Sequence, residues 1–505
     1  MTLSLPDMRS GFLLAVTAAL VSACAGLPKA PAPTNPVRFL SVNDLTEIDT
    51  LPTGDGGLAR LATLRRRIAG EGPVLTVVAG NFLGPSLASR YFGGAQMVEV
   101  LNASGIDYVT FGSRDLDLPP DSLQQRIAAA TFKWLSANCT APDSSAMPGV
   151  LAWDTVRVHG QKVGLFGLTA PIVAKGGRCG DPDAAARVAI DSLGKLGADL
   201  IVAVTHQSLD ADLALLGREG QLELILGGSG RQAATVQVGA RHVVTSDANA
   251  RSAQFVTLWG KKGEWRQVTR ILDVRPNLVA DPAVQRIVDA WRDSVTTRLG
   301  PDAPIGTLVD SLDATDVTLR RTEAPFADLV TDAMRMGTGA DAAVINAGAL
   351  RLDGWLPPGP LRRYTLESIF LFADDTRVVV VPMNGGRLRE MLERGVSNGV
   401  IGTGAFLQVS GLRYTVDPEH ASGARLAGQL TDSDNRLISK NDRVRVAMPT
   451  YLACAGGDGY RLPEASEACV AAARAPRAAD LLASHIAERL GGRVTPPPGG
   501  RINLR

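Results

Sequence analysis

Residues 37–273 alternate short β-branched and apolar runs with stretches of helical period, and this alternation constrains the fold more than any other feature of the chain. The runs fall at 38–42, 74–79, 108–111, 163–168, 200–204 and 222–226, and each is followed by Gly, Asn, Asp or Thr. Helical patterns, such as 57–69 and 184–196, lie between several of them. Such a segment buries a sheet under outer helices. Polar residues just past the strand ends then become the candidate site.

The rest of the chain is read around this segment. Its 505 residues imply more than one domain. Residues 274–302 read as a hinge: Pro276 and Pro282 frame a turn, 283–299 is helical in pattern, and Pro301 and Pro304 close it. A second domain, 303–505, mixes helices such as 326–336 with strands such as 377–382, 412–417 and 443–448. Basic and acidic residues nearly cancel, leaving a net charge of +1, so there is no electrostatic ground for a nucleic-acid partner.

Residues 11–23 are apolar but too few to span a bilayer, which takes about 20. They follow Arg9 and end in small residues, the pattern of a secretory signal over 1–23. Val21-Ser-Ala-Cys24 resembles the bacterial lipobox, which implies lipidation at Cys24; the alternative is a plain signal cleaved near Ala25. Residues 24–36, with Pro28, Pro31, Pro33 and Pro36, form an extended tether. The expected location is the bacterial periplasm, on a lipid anchor in the outer membrane, because no aspartate follows Cys24. Cys139, Cys179, Cys454 and Cys469 suit disulfides there. Four cysteines allow three connectivities, of which the sequential one is simplest.

Several segments of the second domain resemble the C-terminal domain of the 5′-nucleotidases. Arg321-Thr-Glu323 precedes Asp328-Leu-Val-Thr-Asp-Ala-Met-Arg335, and Ile345-Asn-Ala-Gly-Ala-Leu-Arg351 follows. Gly404-Ala-Phe-Leu-Gln-Val-Ser-Gly-Leu-Arg-Tyr-Thr-Val-Asp417, Ala455-Gly-Gly-Asp-Gly-Tyr460 and Gly500-Arg-Ile502 complete the series in order. The resemblance implies that Phe406 and Tyr460 clamp a nucleobase, a contact worth about 1–3 kcal/mol. It places Asn346, Arg351 and Asp458 in the same ligand site, with the Arg351 guanidinium suited to phosphate. The competing reading makes Phe406 and Tyr460 core aromatics. Leu371-Phe-Ala-Asp-Asp-Thr376 departs from the family pattern, since paired aspartates repel phosphate.

The first domain resembles the family's calcineurin-like metallophosphatase sandwich, in which two metals hold the phosphate and supply hydroxide. The implied fold is therefore α/β, a sandwich followed by a smaller mixed α/β domain. The motifs survive, but most ligands are replaced. D-x-H reads Asp44-Leu-Thr46, G-D reads Gly80-Asn81, and G-N-H-E-x-D reads Gly112-Ser-Arg-Asp-Leu-Asp117. T-H persists as Thr205-His206, and G-G-H-x-[HQ] reads Gly227-Gly-Ser-Gly-Arg231. Of the five histidines, His206 alone sits in a signature.

Asp44, Asn81 and His206 are what remains of the metal set, and Asp117 matches a catalytic position. No cofactor is expected, the alternative being one weakly bound divalent metal. Arg114 and Arg231 stand at former ligand positions and suit a phosphate clamp; alternatively they pair with Asp44, Asp115 and Asp117. No P-loop lysine or nucleophile elbow is present.

Three functions follow. The chain is a nucleotidase homologue that binds a nucleotide or another phosphorylated small molecule with lost or weak hydrolysis, an active phosphomonoesterase of nucleotide catabolism with an atypical site, or a non-catalytic structural envelope protein. Thiosulfohydrolases of the same fold also need the metals, and no protein partner is indicated.

Overall fold

The structure is a computed structural model and describes residues 34–51, 54–350, 352, 354–370, 376–397 and 401–505. The signal segment, Cys24 and most of the tether lie outside the described residues, as do Arg351 and 371–375.

Two sheets stack face to face in the first domain. One has seven strands, in the order Arg266–Asp273, Ser252–Trp259, Val37–Val42, Leu75–Ala79, Tyr108–Thr110, Lys133–Leu135 and Val150–Leu151. From Val37–Val42 to Val150–Leu151 the pairing is parallel, and the two C-terminal strands add antiparallel. The second has six strands, centred on Leu200–His206 and Leu224–Gly227. Phe39, Val77, Val202, Val204 and Leu226 fill the space between the sheets. Helices cover both outer faces: Leu58–Gly70 and Ala95–Ser104 on the first, Pro182–Lys195 and Leu209–Arg218 on the second. Strands buried on both faces read as continuous apolar runs, which is why these segments stand out in the sequence.

The helix Pro282–Leu299 starts where the Asp281 carboxylate caps the N–H groups of Ala283 and Val284, at 2.9 and 3.0 Å. Val284 and Val288 enter the core of the first domain. The segment read as a hinge is thus fastened along one helix face to the first domain.

The second domain is built on the sheet Val378–Asn384, Arg443–Pro449, Ala342–Asn346 and Leu407–Ser410, with the helix Pro325–Thr338 packed against it. The sheet of Leu426–Asp432, Leu412–Val416 and Ile502–Leu504 flanks it. The disulfides pair sequentially, Cys139–Cys179 and Cys454–Cys469. Among the described residues, no helix is long and apolar enough to cross a membrane.

Candidate functional site

Asp44, Asn81, Ser113, Arg114, His206, Ser229 and Arg231 lie at or just past the C-terminal ends of strands in both sheets and converge on one spot. Four of them, Asp44, Asn81, Ser229 and Arg231, hold left-handed backbone, with φ of 51°, 55°, 73° and 54°. Asn and Asp tolerate this region; Ser and Arg hold it at a cost of order 1 kcal/mol or more. Gly80 and Gly228 let the turns close on His206, since a Cβ on either would come within 2.5 and 2.8 Å of its ring Cδ2.

Asp44 is buried, and protein groups satisfy both of its oxygens. Oδ1 accepts from the Asn81 amide at 3.0 Å and faces His206 Nε2 at 3.4 Å. Oδ2 accepts from the Asn43 amide at 2.8 Å and from the Ser229 N–H at 3.2 Å. Burial by itself would push this carboxyl up, but His206, Arg231 and Asn43 outweigh it and hold the carboxyl at about 2.

Asn81 works at both ends. Its amide donates to Asp44, and its Oδ1 accepts from the Arg114 N–H at 2.9 Å. Asp115 lies beneath, fully buried, and accepts from the N–H groups of Asn81, Phe82, Leu83 and Gly112 at 2.7–2.9 Å. Burial lifts its carboxyl to about 6 against these donors. Asp212 is buried likewise below His206, holding Thr205 Oγ1 and the Gln207 amide, and burial lifts it to about 7. Both carboxylates brace turns.

These residues do not fit a two-metal centre. The bridging position carries a neutral amide, the Asp44 oxygens are taken, and a guanidinium stands where the family resemblance puts a histidine. Among the described residues, no group of three or more His, Cys, Asp or Glu is arranged for a metal ion. Asp44, Asn81 and His206 do meet, both partners reaching Asp44 Oδ1.

Asp117 departs from its expected role. Its half-exposed carboxylate pairs with Arg114 at 3.3 Å and does not line the cavity. Arg114 thus makes the competing ion pair, but one open to water on both sides and weakly held. Arg231 acts electrostatically on Asp44.

Sequence reasoning missed Asn249. Its Oδ1 accepts from Thr46 N at 2.8 Å, Thr46 Oγ1 at 2.9 Å and Glu47 N at 3.2 Å, fixing the turn after Asp44. It also missed Glu47 on the cavity wall, lifted to about 7 by burial and by Asp49. The polar run after the strand Arg241–Thr245 was the available signal for the first, and an acid three residues past Asp44 for the second.

The site opens into a cavity of about 590 Å³ between the domains. The second domain contributes Asp316, Arg320, Leu352, Tyr364 and Ser368, among others. Charges around it are paired: Asp49 with Arg292, Asp316 with Arg320, Asp302 with Arg362.

The second-domain residues stand apart from this lining. Phe406 and Tyr460 are 0% and 2% exposed and belong to the core. The Tyr460 hydroxyl donates to Ala405 O at 2.8 Å, and Arg394 lies over its ring at 5.4 Å. The expected base clamp is therefore closed: neither ring offers a face to a ligand, because each fills the domain's own interior. Asn346 and Asp458 do meet, with the amide donating to the carboxylate at 2.9 Å, and the Tyr451 hydroxyl donates to Asp458 at 3.1 Å. Glu323 accepts from the N–H groups of Gly500, Arg501 and Ile502. Arg501 pairs with Asp332 at 2.8 Å and Asp328 at 3.4 Å. Those motifs fasten the end of the chain to the helix Pro325–Thr338.

Residues 304–464 match the family model described as 5′-nucleotidase, C-terminal domain. The chain is 24% identical over 486 residues to the trifunctional nucleotide phosphoesterase protein YfkN of Bacillus subtilis, covering 84% of this chain and 32% of that protein. It thus spans about a third of that relative's length. It is 23% identical over 462 residues to 5′-nucleotidase of Homo sapiens, covering 81% of this chain and 79% of that one. A 5′-nucleotidase precursor from Thermus thermophilus shares the fold, with a TM-score of 0.78 at 22% identity, covering 93% of this chain and 99% of that one.

Proposed function

We infer that this chain, for which the family model, the curated relatives and the solved structure all support the 5′-nucleotidase family, is an envelope member that binds a nucleotide or other phosphorylated small molecule and hydrolyses it weakly or not at all. The observation that carries this reading is the Asn81 carboxamide, donating to Asp44 and accepting from the Arg114 N–H. A neutral amide cannot bridge two dications, and without metals the site has no source of hydroxide.

Retention of binding is supported by the turns. Ser229 and Arg231 keep costly left-handed backbone at 73° and 54°, and Arg114 and Arg231 both line the cavity. Strain held at a cavity is grounds for a functional reading. Two guanidiniums there suit the charge-assisted, bidentate bonds that phosphate accepts. Envelope anchoring rests on the Val21-Ser-Ala-Cys24 pattern, and mass spectrometry of the mature N-terminal peptide tests it.

One observation favours a second reading, weak hydrolysis with a single divalent metal: Asp44, Asn81 and His206 still converge. The deciding experiment measures phosphate release from AMP and UDP-glucose with and without Mn²⁺, Co²⁺ or Zn²⁺, with Asp44→Ala/His206→Ala as control, and AMP affinity by calorimetry. Binding weakened by Arg114→Ala, without turnover above the control, is the expected result. Metal-dependent turnover lost in the control establishes the second reading, and absence of both binding and turnover leaves a structural protein.

A further inference from the structure

A cavity of about 590 Å³ is far larger than a phosphate and within the range that holds a whole organic ligand. Its polar end is the Asp44–Arg114–Arg231 turn cluster. Away from that end, the wall takes the partly exposed Leu87 and Trp291, together with Ile48, Val288 and Val295, which are buried. Val288, Trp291 and Val295 fall at i, i+3 and i+7 of the helix Pro282–Leu299, so they form one apolar stripe. Trp291 is half-buried and held in place, its ring against Phe92 at 4.9 Å and its Nε1–H donating to Glu99 at 2.9 Å. A fixed aromatic wall costs a ligand little ordering on binding. Meanwhile the aromatic pair of the second domain is closed inside its own core.

We infer that the cavity takes a phosphomonoester whose organic part is apolar and flat, seated against Trp291 and Leu87, in preference to a nucleotide. This rests on the phosphate-binding reading above and adds the other half of the ligand. Two of the charged pairs on the cavity wall, Asp49 with Arg292 and Asp316 with Arg320, are made within the protein, so these charges are already countered before a ligand enters. Covering about 60 Å² of apolar ligand surface there gives about a tenfold gain in affinity.

The test titrates the purified protein with inorganic phosphate, AMP and 1-naphthyl phosphate by calorimetry. 1-Naphthyl phosphate is expected to bind about tenfold tighter than AMP or phosphate. Leu87→Asn and, separately, Trp291→Leu should abolish that advantage while phosphate affinity stays the same. Arg114→Ala should weaken all three. If phosphate binds through Arg114 but 1-naphthyl phosphate gains nothing over AMP, or keeps its gain in both wall variants, the apolar-ligand inference is overturned and the phosphate reading stands. If none of the three binds, both fall together.

Discussion

The Asn81 side-chain amide donates to Asp44 Oδ1 at 3.0 Å, so the position that would bridge two metals instead gives a buried carboxylate a hydrogen bond. Asn81→Asp replaces that donor with a second carboxylate at contact distance. Two carboxylates so close cannot both ionise cheaply. The variant should lose about 2 kcal/mol at pH 8 in the presence of EDTA, and less at pH 5, where the pair can share a proton. Thermal unfolding at the two pH values measures this. A variant as stable as wild type at pH 8 would show that the Asn81–Asp44 bond carries no weight.

Four acids set a pH dependence. Burial lifts Asp115 to about 6, Glu47 and Asp212 to about 7 and Asp328 to about 8. In each case the folded state holds its proton more tightly than the unfolded chain, which releases it near the ordinary carboxylate value. Stability from these groups is therefore present at low pH and falls as pH rises from about 4 to about 8. Asp44, held down at about 2, has the opposite sign, but its loss begins only as pH falls below about 4. Calorimetric Tm should peak on the acid side, between about pH 4 and 5, and decline toward pH 8. Asp212→Asn should flatten that decline; a Tm that rises steadily to pH 8 would contradict it.

The sandwich was legible because its central strands are buried on both faces. The run read at 200–204 is the core of Leu200–His206, and 38–42 lies within Val37–Val42. Less was legible at the edge of the sheet: Arg266–Asp273 mixes polar and apolar residues, leaves Val268 and Ile271 exposed, and gives no continuous run. At the site, the sequence located Asp44, Asn81 and His206 through their motifs. It did not disclose Asn249, whose role comes from a left-handed φ of 57° and acceptance from a turn about 200 residues away in sequence. Nor did it reveal which way the Phe406 and Tyr460 rings point, since glycines flank a ring equally well whether it faces solvent or the core.

The inward orientation of these rings has a measurable consequence. Phe406 is fully buried, so Phe406→Ala should behave as a core truncation, costing about 3–5 kcal/mol. Tyr460→Phe removes only the bond to Ala405 O, worth about 1 kcal/mol. Denaturant unfolding with and without 1 mM AMP checks both. If Phe406→Ala leaves stability intact but abolishes AMP binding, the ring is a ligand surface after all.

The disulfides close loops of different length, 40 residues for Cys139–Cys179 and 15 for Cys454–Cys469. Loop entropy makes the longer closure worth about 4 kcal/mol and the shorter about 3 kcal/mol. Their consequences differ in place as well as size. Cys139–Cys179 joins two strands against the core of the first domain. Cys454 precedes the turn that carries Asp458, whose carboxylate is held by Asn346 and Tyr451. The Cys139→Ser/Cys179→Ser variant should lower the unfolding midpoint without altering the second domain. Cys454→Ser/Cys469→Ser should lower it less but speed amide exchange through 455–460. Hydrogen-exchange mass spectrometry of both variants separates the two. Equal protection of 455–460 in the second variant and the wild type would mean that the Asn346 and Tyr451 bonds hold the turn without the covalent link.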